Sequence, residues 1–398
     1  MSSPLHTVVI FERFGPYHLA RLRGASSYMT ITGMEIAGRS ATYAWERLEA
    51  HDLTCLTLFP DRDALSLSSD TIRTAVSERL SELRPDAVAV PGWSHPAALA
   101  ALQWCRDQDI PAVLMSESSA HDFDRQWWSE MLKRQVVSFA SAGLVGGRTH
   151  RAYLADLGMD EQHVFLGYDV VDNDHFAQES EADQKKVSQS SSDLPERYFL
   201  ASSRFVPKKN LPGLIRAFAD YRAQAPAETA WDLVLLGDGD QRPVIESAIE
   251  EEGLRETVHL PGFVQYPDLP SFYKRASGFV HASTREQWGL VVNEAMAAGL
   301  PVIVSDRCGC APELVREGVN GWTFDPSDLS ALTRCFITLA HGSANRRAMG
   351  QESLKVIRKW GPERFGEGLS DAVEASFSAT PPAPSFARSL VLNVLQRR

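Results

Sequence analysis

The sequence predicts an α/β protein with two doubly wound, Rossmann-like domains that face a cleft. Short runs rich in Val, Leu and Ile alternate with stretches of helical spacing along almost the whole chain. Such alternation is typical of parallel sheets built from right-handed crossovers. A polar, serine-rich segment interrupts the alternation near the middle, and a length of 398 residues is too great for one compact core.

Five strands are predicted in the first half of the chain. Each is short and continuously apolar, as expected of strands buried on both faces of a parallel sheet. The segments between them, such as Ser66–Leu83 and Pro96–Asp107, have helical spacing. These elements predict a first domain over residues 1–176. The predicted strands are His6–Phe11, Leu53–Phe59, Ala87–Val90, Ala112–Met115 and Gly143–Val145.

A second series of strands follows a polar break. Residues 177–196 are rich in Ser, Gln and Glu and nearly devoid of bulky apolar side chains, which is typical of a linker. We therefore predict a second domain over residues 197–360, and we expect the helix in the final segment, 361–398, to cross back to the first domain. The predicted strands are Tyr198–Ala201, Leu233–Leu236, Val258–Leu260, Gly278–His281, Val302–Ser305 and Trp322–Phe324.

Composition and charge argue against several classes of protein. The formal net charge of −11 disfavours broad binding to nucleic acid, which requires a basic surface. Five cysteines, an odd and sparse set, predict no disulfide framework and a reducing, cytoplasmic setting. No second pair accompanies Cys308 and Cys310, so no metal site is predicted. The N-terminus lacks the basic region of a signal peptide, and no run approaches the roughly 20 apolar residues that span a bilayer.

The segment TREQWGLVVNEAMAAGLPVIVSD, residues 284–306, predicts a helix that begins at a ligand site. Leu290–Ala298 contains good helix formers, and Gly299 followed by Pro301 ends the helix. Its first N–H groups, near Trp288, Gly289 and Leu290, and the positive end of its dipole suit a phosphate.

Two glutamates flank the start of this helix. Glu286 precedes it, and Glu294 lies a little more than one turn inside it. One carboxylate near a helix N-terminus could simply stabilise the dipole, by about 0.3–1 kcal/mol. Two acceptors at different depths beside an anion-binding helix end suit a ligand with both hydroxyls and phosphates, such as a sugar nucleotide.

Two further loops directly follow predicted strands, where ligands of such sheets bind. Arg204 and Lys209 follow the first strand of the second domain and offer a bidentate fork and a point charge to a phosphate. Gly15 follows the first strand of the chain and would let the backbone approach a ligand closely. There is no G-x-G-x-x-G at this turn, so a nicotinamide dinucleotide site has little support.

These segments resemble motifs of a known family. The segment EQWGLVVNEAMAAGLPVIVSD, with Glu286 and Glu294 separated by seven residues, resembles the E-x7-E motif of the retaining family 4 glycosyltransferases (glycosyl transferases group 1), which have the GT-B fold. SRFVPKKN resembles the phosphate-binding segment of that family, VHLPGFV its nucleobase loop and GVNGWTFDPSD its G-x-N-G-x-x-x-x-x-x-D segment. The resemblance covers nearly the whole second domain and is loose over the first.

The resemblance implies a transferase that moves a sugar from a nucleoside diphosphate sugar with retention of configuration and without a metal or other cofactor. Arg204 and Lys209 would neutralise the diphosphate, with Gly15 beneath it. Glu286 would bind hydroxyls of the donor sugar, helped by backbone N–H groups of Trp288, Gly289 and Leu290. Glu294 would bind the ribose, and Phe263 and Val264 the base.

The first domain departs from the family pattern. The usual Gly-Gly after the first strand is replaced by Phe14-Gly15-Pro16. The histidine that often follows a central strand is also missing, and Glu117 is expected in its place, with His121 or His95 as substitutes. An ordinary loop is the alternative for each of these residues.

The first domain is also expected to bind the acceptor, a glycan or a lipid-linked hydroxyl, because its loops vary most in such folds. The tail FARSLVLNVLQRR, residues 386–398, fits either the inner face of a membrane or packing against the protein. Two other functions stay open: a non-catalytic sugar-nucleotide-binding subunit, and another GT-B activity such as a sugar-nucleotide epimerase or phosphorylase.

Overall fold

The structure is a computed structural model that describes residues 4–39, 50–120, 122, 125–177, 194–341 and 345–378. Its internal contacts divide the chain into two units, Met1–Val171 together with Gly361–Arg398, and Asp172–Trp360. Most of the linker predicted at 177–196 and the tail at 386–398 lie outside the described residues. Within the described part of the chain, no helix combines the length and apolarity that crossing a membrane requires.

The first unit contains one parallel sheet of seven strands, in the order β3-β2-β1-β4-β5-β6-β7. The order reverses direction between the neighbours β1 and β4, and ligands of doubly wound sheets bind beyond the carboxyl ends of strands at such a point. The strands are β1 His6–Phe11, β2 Thr30–Arg39, β3 Cys55–Asp63, β4 Ala87–Pro91, β5 Ala112–Ser116, β6 Ala142–Val145 and β7 Val164–Leu166.

Alternate residues of the central strands face opposite helical layers. Val8 and Ile10 belong to one apolar core, whereas Val9 and Phe11 belong to the other. Both faces of the sheet are therefore covered, which explains the continuous apolar runs in the sequence. The helices of this part are α1 Pro16–Ser26, α2 Ser69–Leu83, α3 Pro96–Gln108, α4 Trp127–Val137 and α5 Arg148–Asp156.

Two strands of the first sheet, β2 and β7, were absent from the sequence prediction. β2 contains two glycines and a glutamate, so it lacks the apolar run that marks the other strands, yet it is buried between β1 and β3. Its Glu35 is buried because it accepts hydrogen bonds from the Phe14 N–H and the Thr57 hydroxyl, each at 2.6 Å. β7 is only three residues long, which is too short for a periodic signal.

The second unit contains one parallel sheet of six strands, in the order β10-β9-β8-β11-β12-β13. Its direction reverses between β8 and β11. All six strands lie where the sequence predicts them. They are β8 Tyr198–Ser202, β9 Asp232–Leu236, β10 Val258–Gly262, β11 Gly278–His281, β12 Val302–Ser305 and β13 Gly321–Phe324. The helices are α6 Asn173–Ala177, α7 Leu211–Gln224, α8 Arg242–Glu251, α9 Leu269–Arg275, α10 Leu290–Ala297, α11 Ala311–Leu314, α12 Leu329–His341 and α13 Arg346–Ile357.

The first unit ends at Val171, rather than at residue 176 as the sequence suggested. The reason is the short helix α6, which packs into the second unit. Phe176 is fully buried there, edge-on to the rings of Tyr266 and Tyr273, and His175 stacks on Tyr266 with ring centroids 4.1 Å apart.

The last described helix, α14 Pro362–Ser378, packs in the first unit. Its Phe365 and Leu369 belong to the same apolar core as Val9. The helix approaches α1 so closely that a Cβ on Gly24 would lie 1.9 Å from the carbonyl oxygen of Pro362. Glycine at this position is therefore a packing requirement, because a larger residue would push the two helices apart.

Candidate functional site

Two loops of the second unit meet at the point where its strand order reverses. One follows β8 and contains Arg204 and Lys209, and the other follows β11 and contains Glu286. Because β8 and β11 are hydrogen-bonded neighbours, both loops leave the sheet at the same edge. Thr284 ties them together, since its N–H and its hydroxyl donate to the carbonyl oxygen of Lys208 at 2.8 and 3.2 Å.

Glu286 lies at the centre of this meeting point and binds two lysines. Lys209 forms an ion pair with one carboxylate oxygen, and the Nζ of Lys208 lies 3.4 Å from the other. Glu286 and Lys209 are largely buried. Glu286 and Lys209, which the sequence predicts at one site, are in contact in the structure. Lys208 is an addition to the residues predicted from the sequence.

A second layer of polar groups lies behind Glu286. The Nε2 atom of His281 is 3.3 Å from the Oε2 atom of Glu286, and the hydroxyl of Ser283 donates to the same oxygen at 3.2 Å. The Ser283 hydroxyl is also 3.2 Å from His281 Nε2. Both side chains are buried. Neither was predicted, although a histidine that ends an otherwise apolar strand is a signal that could have identified His281.

The surroundings of Glu286 keep its carboxylate charged. Burial alone would raise the pKa of Glu286, but the hydrogen bond with His281 and the positive charges of Lys209 and Lys208 outweigh it and hold that pKa well below its usual range. Burial, followed by the charges of the lysines, lowers the pKa of His281, against the opposing effect of Glu286. At neutral pH the pair is therefore an anionic glutamate beside a neutral imidazole whose Nε2–H can donate to it.

Helix α10 begins beside this carboxylate. Gly289 is its N-cap residue, with a φ of 104° that a side chain would strain. A Cβ there would also lie 3.5 Å from the Cγ of Glu286, so the helix start and the carboxylate are immediate neighbours. The first N–H groups of a helix have no acceptor within it, so those of Leu290 and Val291 offer donors to an anion near Glu286, whereas the N–H of Val292 donates to the carbonyl oxygen of Gly289.

Trp288 supports this turn with its side chain. It is buried, its indole N–H donates to the Asn293 side chain at 2.9 Å, and its ring lies 5.0 Å from that of Trp360. Its carbonyl oxygen accepts from the Cys310 N–H. The Trp288 side chain therefore anchors the start of α10, which leaves only its backbone for a ligand.

Glu294, the second glutamate of the motif, differs sharply from the first. It lies inside α10, is almost completely buried, and accepts a 2.5 Å hydrogen bond from the hydroxyl of Tyr273. Burial and the charge of Glu294 raise the pKa of Tyr273 well above its usual value, so the phenol stays protonated and remains a donor.

The other residues predicted to hold the nucleotide lie at the same edge of the second sheet. Arg204 is exposed, and its neighbour Phe205 is fully buried and anchors the loop. Phe263 and Val264 follow β10, and Phe263 is exposed. The turn Gly237–Asp240 links these loops through backbone hydrogen bonds. The N–H of Gly237 donates to the carbonyl oxygen of Gly262, and the carbonyl oxygen of Asp238 accepts from the N–H of Phe205.

In the first unit, Gly15 is the N-cap residue of α1. Its N–H donates to the Nδ1 atom of His18 at 3.0 Å, and the next residue is Pro16, which has no N–H. Burial lowers the pKa of His18 to about 3, so this acceptor is neutral over the physiological range. The turn therefore offers fewer backbone donors to a ligand than a Gly-Gly turn would.

Glu117 follows β5 and lies near a buried carboxyl group. Its side chain hydrogen bonds to Asp169, whose pKa is raised well above the usual range by burial and by Glu117, against the opposing charge of Arg21. The Nη2 atom of Arg21 is 3.4 Å from Asp169, and both residues are buried. His121 lies outside the described residues. His95 caps α3 through Nδ1, and its Nε2 is 3.8 Å from Glu12.

Cys308 and Cys310 lie next to the Glu286 loop as buried free thiols. Burial raises the pKa of Cys308 well above its usual value, so it is a poor thiolate ligand. Among the described residues, no group of three or more histidine, cysteine or acidic side chains is arranged to hold a metal ion.

Comparison with known proteins gives this site a family context. Residues 182–356 match the family model described as glycosyl transferases group 1. An uncharacterized glycosyltransferase of Methanocaldococcus jannaschii is 36% identical over 130 residues, which are 32% of each chain. A GDP-mannose-dependent alpha-(1-6)-phosphatidylinositol monomannoside mannosyltransferase of Mycolicibacterium smegmatis is 31% identical over 45% of this chain and 48% of its own. The matches thus span about a third of the first relative and about half of the second.

Solved structures match over a much greater length. Sucrose-phosphate synthase from Thermosynechococcus elongatus superposes with a TM-score of 0.74 and 17% identity, and the match covers 94% of this chain and 100% of that one. Anabaena HepE in complex with UDP and glucose gives 0.72 and 17%, over 93% and 99%. At such identities the likeness establishes the fold. The chain has the two parallel α/β sheets of the GT-B fold, and its residues 182–356 match the family of glycosyl transferases group 1.

Proposed function

We propose that this protein is a retaining, metal-independent glycosyltransferase that moves a sugar from a nucleoside diphosphate sugar to a hydroxyl of a glycan, glycolipid or other acceptor. The observation that carries the proposal is the contact of Glu286 with Lys208 and Lys209 beside the start of α10. A carboxylate, two ammonium groups and helix N–H donors together complement a sugar joined to a diphosphate.

The diphosphate would be held by positive charge. Lys209 and Lys208 would exchange their bonds with Glu286 for bonds to phosphate oxygens, and Arg204 and the N–H groups at the start of α10, those of Leu290 and Val291, would add to them. Charge-assisted bonds to phosphate are about twice as strong as neutral ones. Because the nucleoside diphosphate is the leaving group, these donors would stabilise the negative charge that grows on it and lower the barrier.

Glu286 would then accept hydrogen bonds from hydroxyls of the donor sugar. His281 and Ser283 hold its Oε2 atom from the buried side, so the carboxylate keeps its position after the lysines turn to the phosphate. Positioning of this kind lowers the entropic cost of reaching the transition state. The acceptor hydroxyl would attack on the face from which the diphosphate leaves, which gives retention.

The nucleoside would lie over the loops at the same edge of the second sheet. Phe263 and Val264 would contact the base, and Glu294 would receive the ribose hydroxyls. Since Glu294 already accepts a bond from Tyr273, the ribose would have to share this carboxylate or replace the phenol. The names of similar proteins support a nucleoside diphosphate sugar as the donor. One solved structure is a complex with UDP-glucose, and one relative is called GDP-mannose-dependent.

The acceptor would bind to the first unit, at the edge of its sheet where Gly15 follows β1 and Glu117 follows β5. Named relatives include an alpha-monoglucosyldiacylglycerol synthase of Acholeplasma laidlawii and a poly(glycerol-phosphate) alpha-glucosyltransferase of Bacillus subtilis. These names support a lipid-linked or polymeric hydroxyl acceptor. We place the reaction in the cytoplasm, at the inner face of the membrane.

A non-catalytic sugar-nucleotide-binding subunit is the second candidate. It is favoured by the turn at Gly15, where His18 occupies one N–H and Pro16 lacks another. A subunit of that kind would bind the nucleotide through Glu286 and the lysines without turning it over.

Titration calorimetry and a turnover assay separate the two candidates. The purified chain is titrated with UDP, GDP and ADP, each with and without a chelator, and is then incubated with the matching sugar nucleotides. Binding of one nucleotide that a chelator leaves unchanged, together with release of that nucleotide during turnover, supports the transferase. Binding without turnover across an acceptor panel supports the subunit, and no binding at all contradicts both.

A further inference from the structure

Helix α4 turns an apolar and basic face to solvent. Trp127, Trp128 and Met131 are 76%, 48% and 51% exposed. Positions separated by three or four residues lie on one side of a helix, so Met131 lies next to both tryptophans. Arg134, three residues further on, is exposed as well. We call these four residues the outer face of α4.

This concentration is unusual in the protein. Nine large hydrophobic side chains are exposed in the part of the chain that the structure describes, and three of them belong to this one helix. Single exposed apolar residues are ordinary, whereas an adjacent group with two tryptophans marks an interaction surface.

The one carboxylate of α4, that of Glu130, is neutralised on the side of the helix that faces the protein. Lys133 donates to Glu130 and to the hydroxyl of Tyr153, each at 2.8 Å, and Tyr153 also donates to Glu130. Val136 and Val137 are buried on the sheet side. The charge that remains for the outer face is therefore the positive charge of Arg134, although the whole chain has a net charge of −11.

Tryptophan and arginine on one helix face match the chemistry of a bilayer surface. Indole rings partition to the level of the lipid headgroups, and a basic residue near an anionic leaflet contributes about 1 kcal/mol. A soluble acidic partner would also account for Arg134, but a chain made for such a partner would not bind to vesicles. We propose that the outer face of α4 docks on the surface of a bilayer that contains anionic lipids. This inference does not depend on the proposed function.

The topology gives this surface a place in the molecule. α4 follows β5, so its first turn, with Trp127 and Trp128, lies toward the carboxyl edge of the first sheet. Glu117 directly follows the last residue of β5, so it lies at that same edge. Docking through α4 would therefore place this edge of the first unit near molecules held in the membrane.

Sedimentation of the full chain with vesicles tests the proposal. We expect binding to vesicles of phosphatidylcholine with roughly one third phosphatidylglycerol, and weaker binding to phosphatidylcholine alone. The triple variant Trp127→Ser, Trp128→Ser, Met131→Ser should lose at least tenfold in the partition coefficient. Arg134→Glu should weaken binding to the anionic vesicles and leave binding to neutral ones unchanged.

Matched controls make the test specific. Leu65 is 80% exposed in the same unit but outside α4, so Leu65→Ser should bind as the parent does. Replacement of both tryptophans by phenylalanine should retain most of the binding, and thermal melts check that each variant is folded. The proposal is overturned if the parent does not sediment with either vesicle, or if the triple variant sediments as well as the parent, which would assign binding to another segment such as the tail.

Discussion

The imidazole of His281 and the carboxylate of Glu286 form a buried pair, with His281 Nε2 3.3 Å from Glu286 Oε2. The pair is anchored on one side by strand β11, of which His281 is the last residue, and it meets Lys209 on the other. Glu286 thus receives positive charge from the solvent side and a neutral donor from the protein interior. This arrangement allows the lysines to exchange partners while the carboxylate stays in position.

Replacement of His281 should move the acid limb of the activity profile. His281→Leu removes the hydrogen bond that helps to depress the pKa of Glu286, so that pKa should rise and activity should be lost at a higher pH than in the parent. Loss of a hydrogen bond to a charged group costs about 1.5–3 kcal/mol, which corresponds to at least a tenfold lower kcat.

His281→Gln is the matched control, because its amide can still donate to Glu286. The measurement is kcat and kcat/KM from neutral pH down to the most acidic pH at which each variant is still folded, with the fold checked at each pH. A purely structural role for His281 predicts lower activity with an unchanged acid limb in both variants, which would contradict the positioning role.

Glu286→Gln should separate turnover from nucleotide binding. The amide keeps the shape of the side chain but removes the charge that, under the proposed function, would accept bonds from sugar hydroxyls, so we expect turnover to fall by at least a hundredfold. Lys208 and Lys209 lose their competing partner, so affinity for the nucleoside diphosphate should be equal to that of the parent or greater.

Turnover is followed by release of the nucleoside diphosphate, and affinity by calorimetry. Glu313→Gln, on the neighbouring helix α11, is a control for the removal of one carboxylate. Turnover of Glu286→Gln close to that of the parent would contradict the proposed role of Glu286 in binding the donor sugar. Loss of nucleotide binding together with turnover would indicate a folding defect.

Much of the second unit could be predicted from the sequence, and the reasons are physical. Its strands are continuous apolar runs because helices cover both faces, and the loops with Lys209 and Glu286 leave neighbouring strands at one edge. The contact of Glu294 with Tyr273 could not be predicted, because it joins residues of two different helices whose packing no local pattern reveals. In the first unit, strand β2 could not be predicted, because Glu35 and two glycines interrupt its apolar run.

Arg204→Ala should weaken binding of a nucleoside diphosphate much more than binding of the nucleoside. Arg204 is exposed. Under the proposed function its guanidinium would contact the phosphates and not the nucleoside, so affinity for the diphosphate should fall roughly 10- to 100-fold while nucleoside affinity stays within about twofold. Arg255, which is exposed and far along the chain from these loops, offers a control as Arg255→Ala. Equal losses for the diphosphate and the nucleoside would contradict a diphosphate contact.

The dependence of stability on pH should reveal the buried carboxyl group of Asp169. Burial and Glu117 raise the pKa of Asp169 in the folded state, so the fold binds this proton more tightly than the unfolded chain does. Stability from this group is therefore complete below the unfolded pKa, near 4, and declines as the pH rises toward the folded pKa.

Asp169→Asn removes this proton-linked contribution and keeps a neutral donor toward Glu117. We expect the melting temperature of the variant to fall less between pH 5 and pH 8 than that of the parent, measured by calorimetry at constant ionic strength. Asp174→Asn, outside the first unit, is the control for the removal of one carboxylate. If the melting temperatures of Asp169→Asn and of the parent decrease by the same amount over this range, Asp169 is ionised in the native protein. In that case the charge of the Arg21 guanidinium, 3.4 Å away, outweighs the effects of burial and Glu117 on the pKa of Asp169.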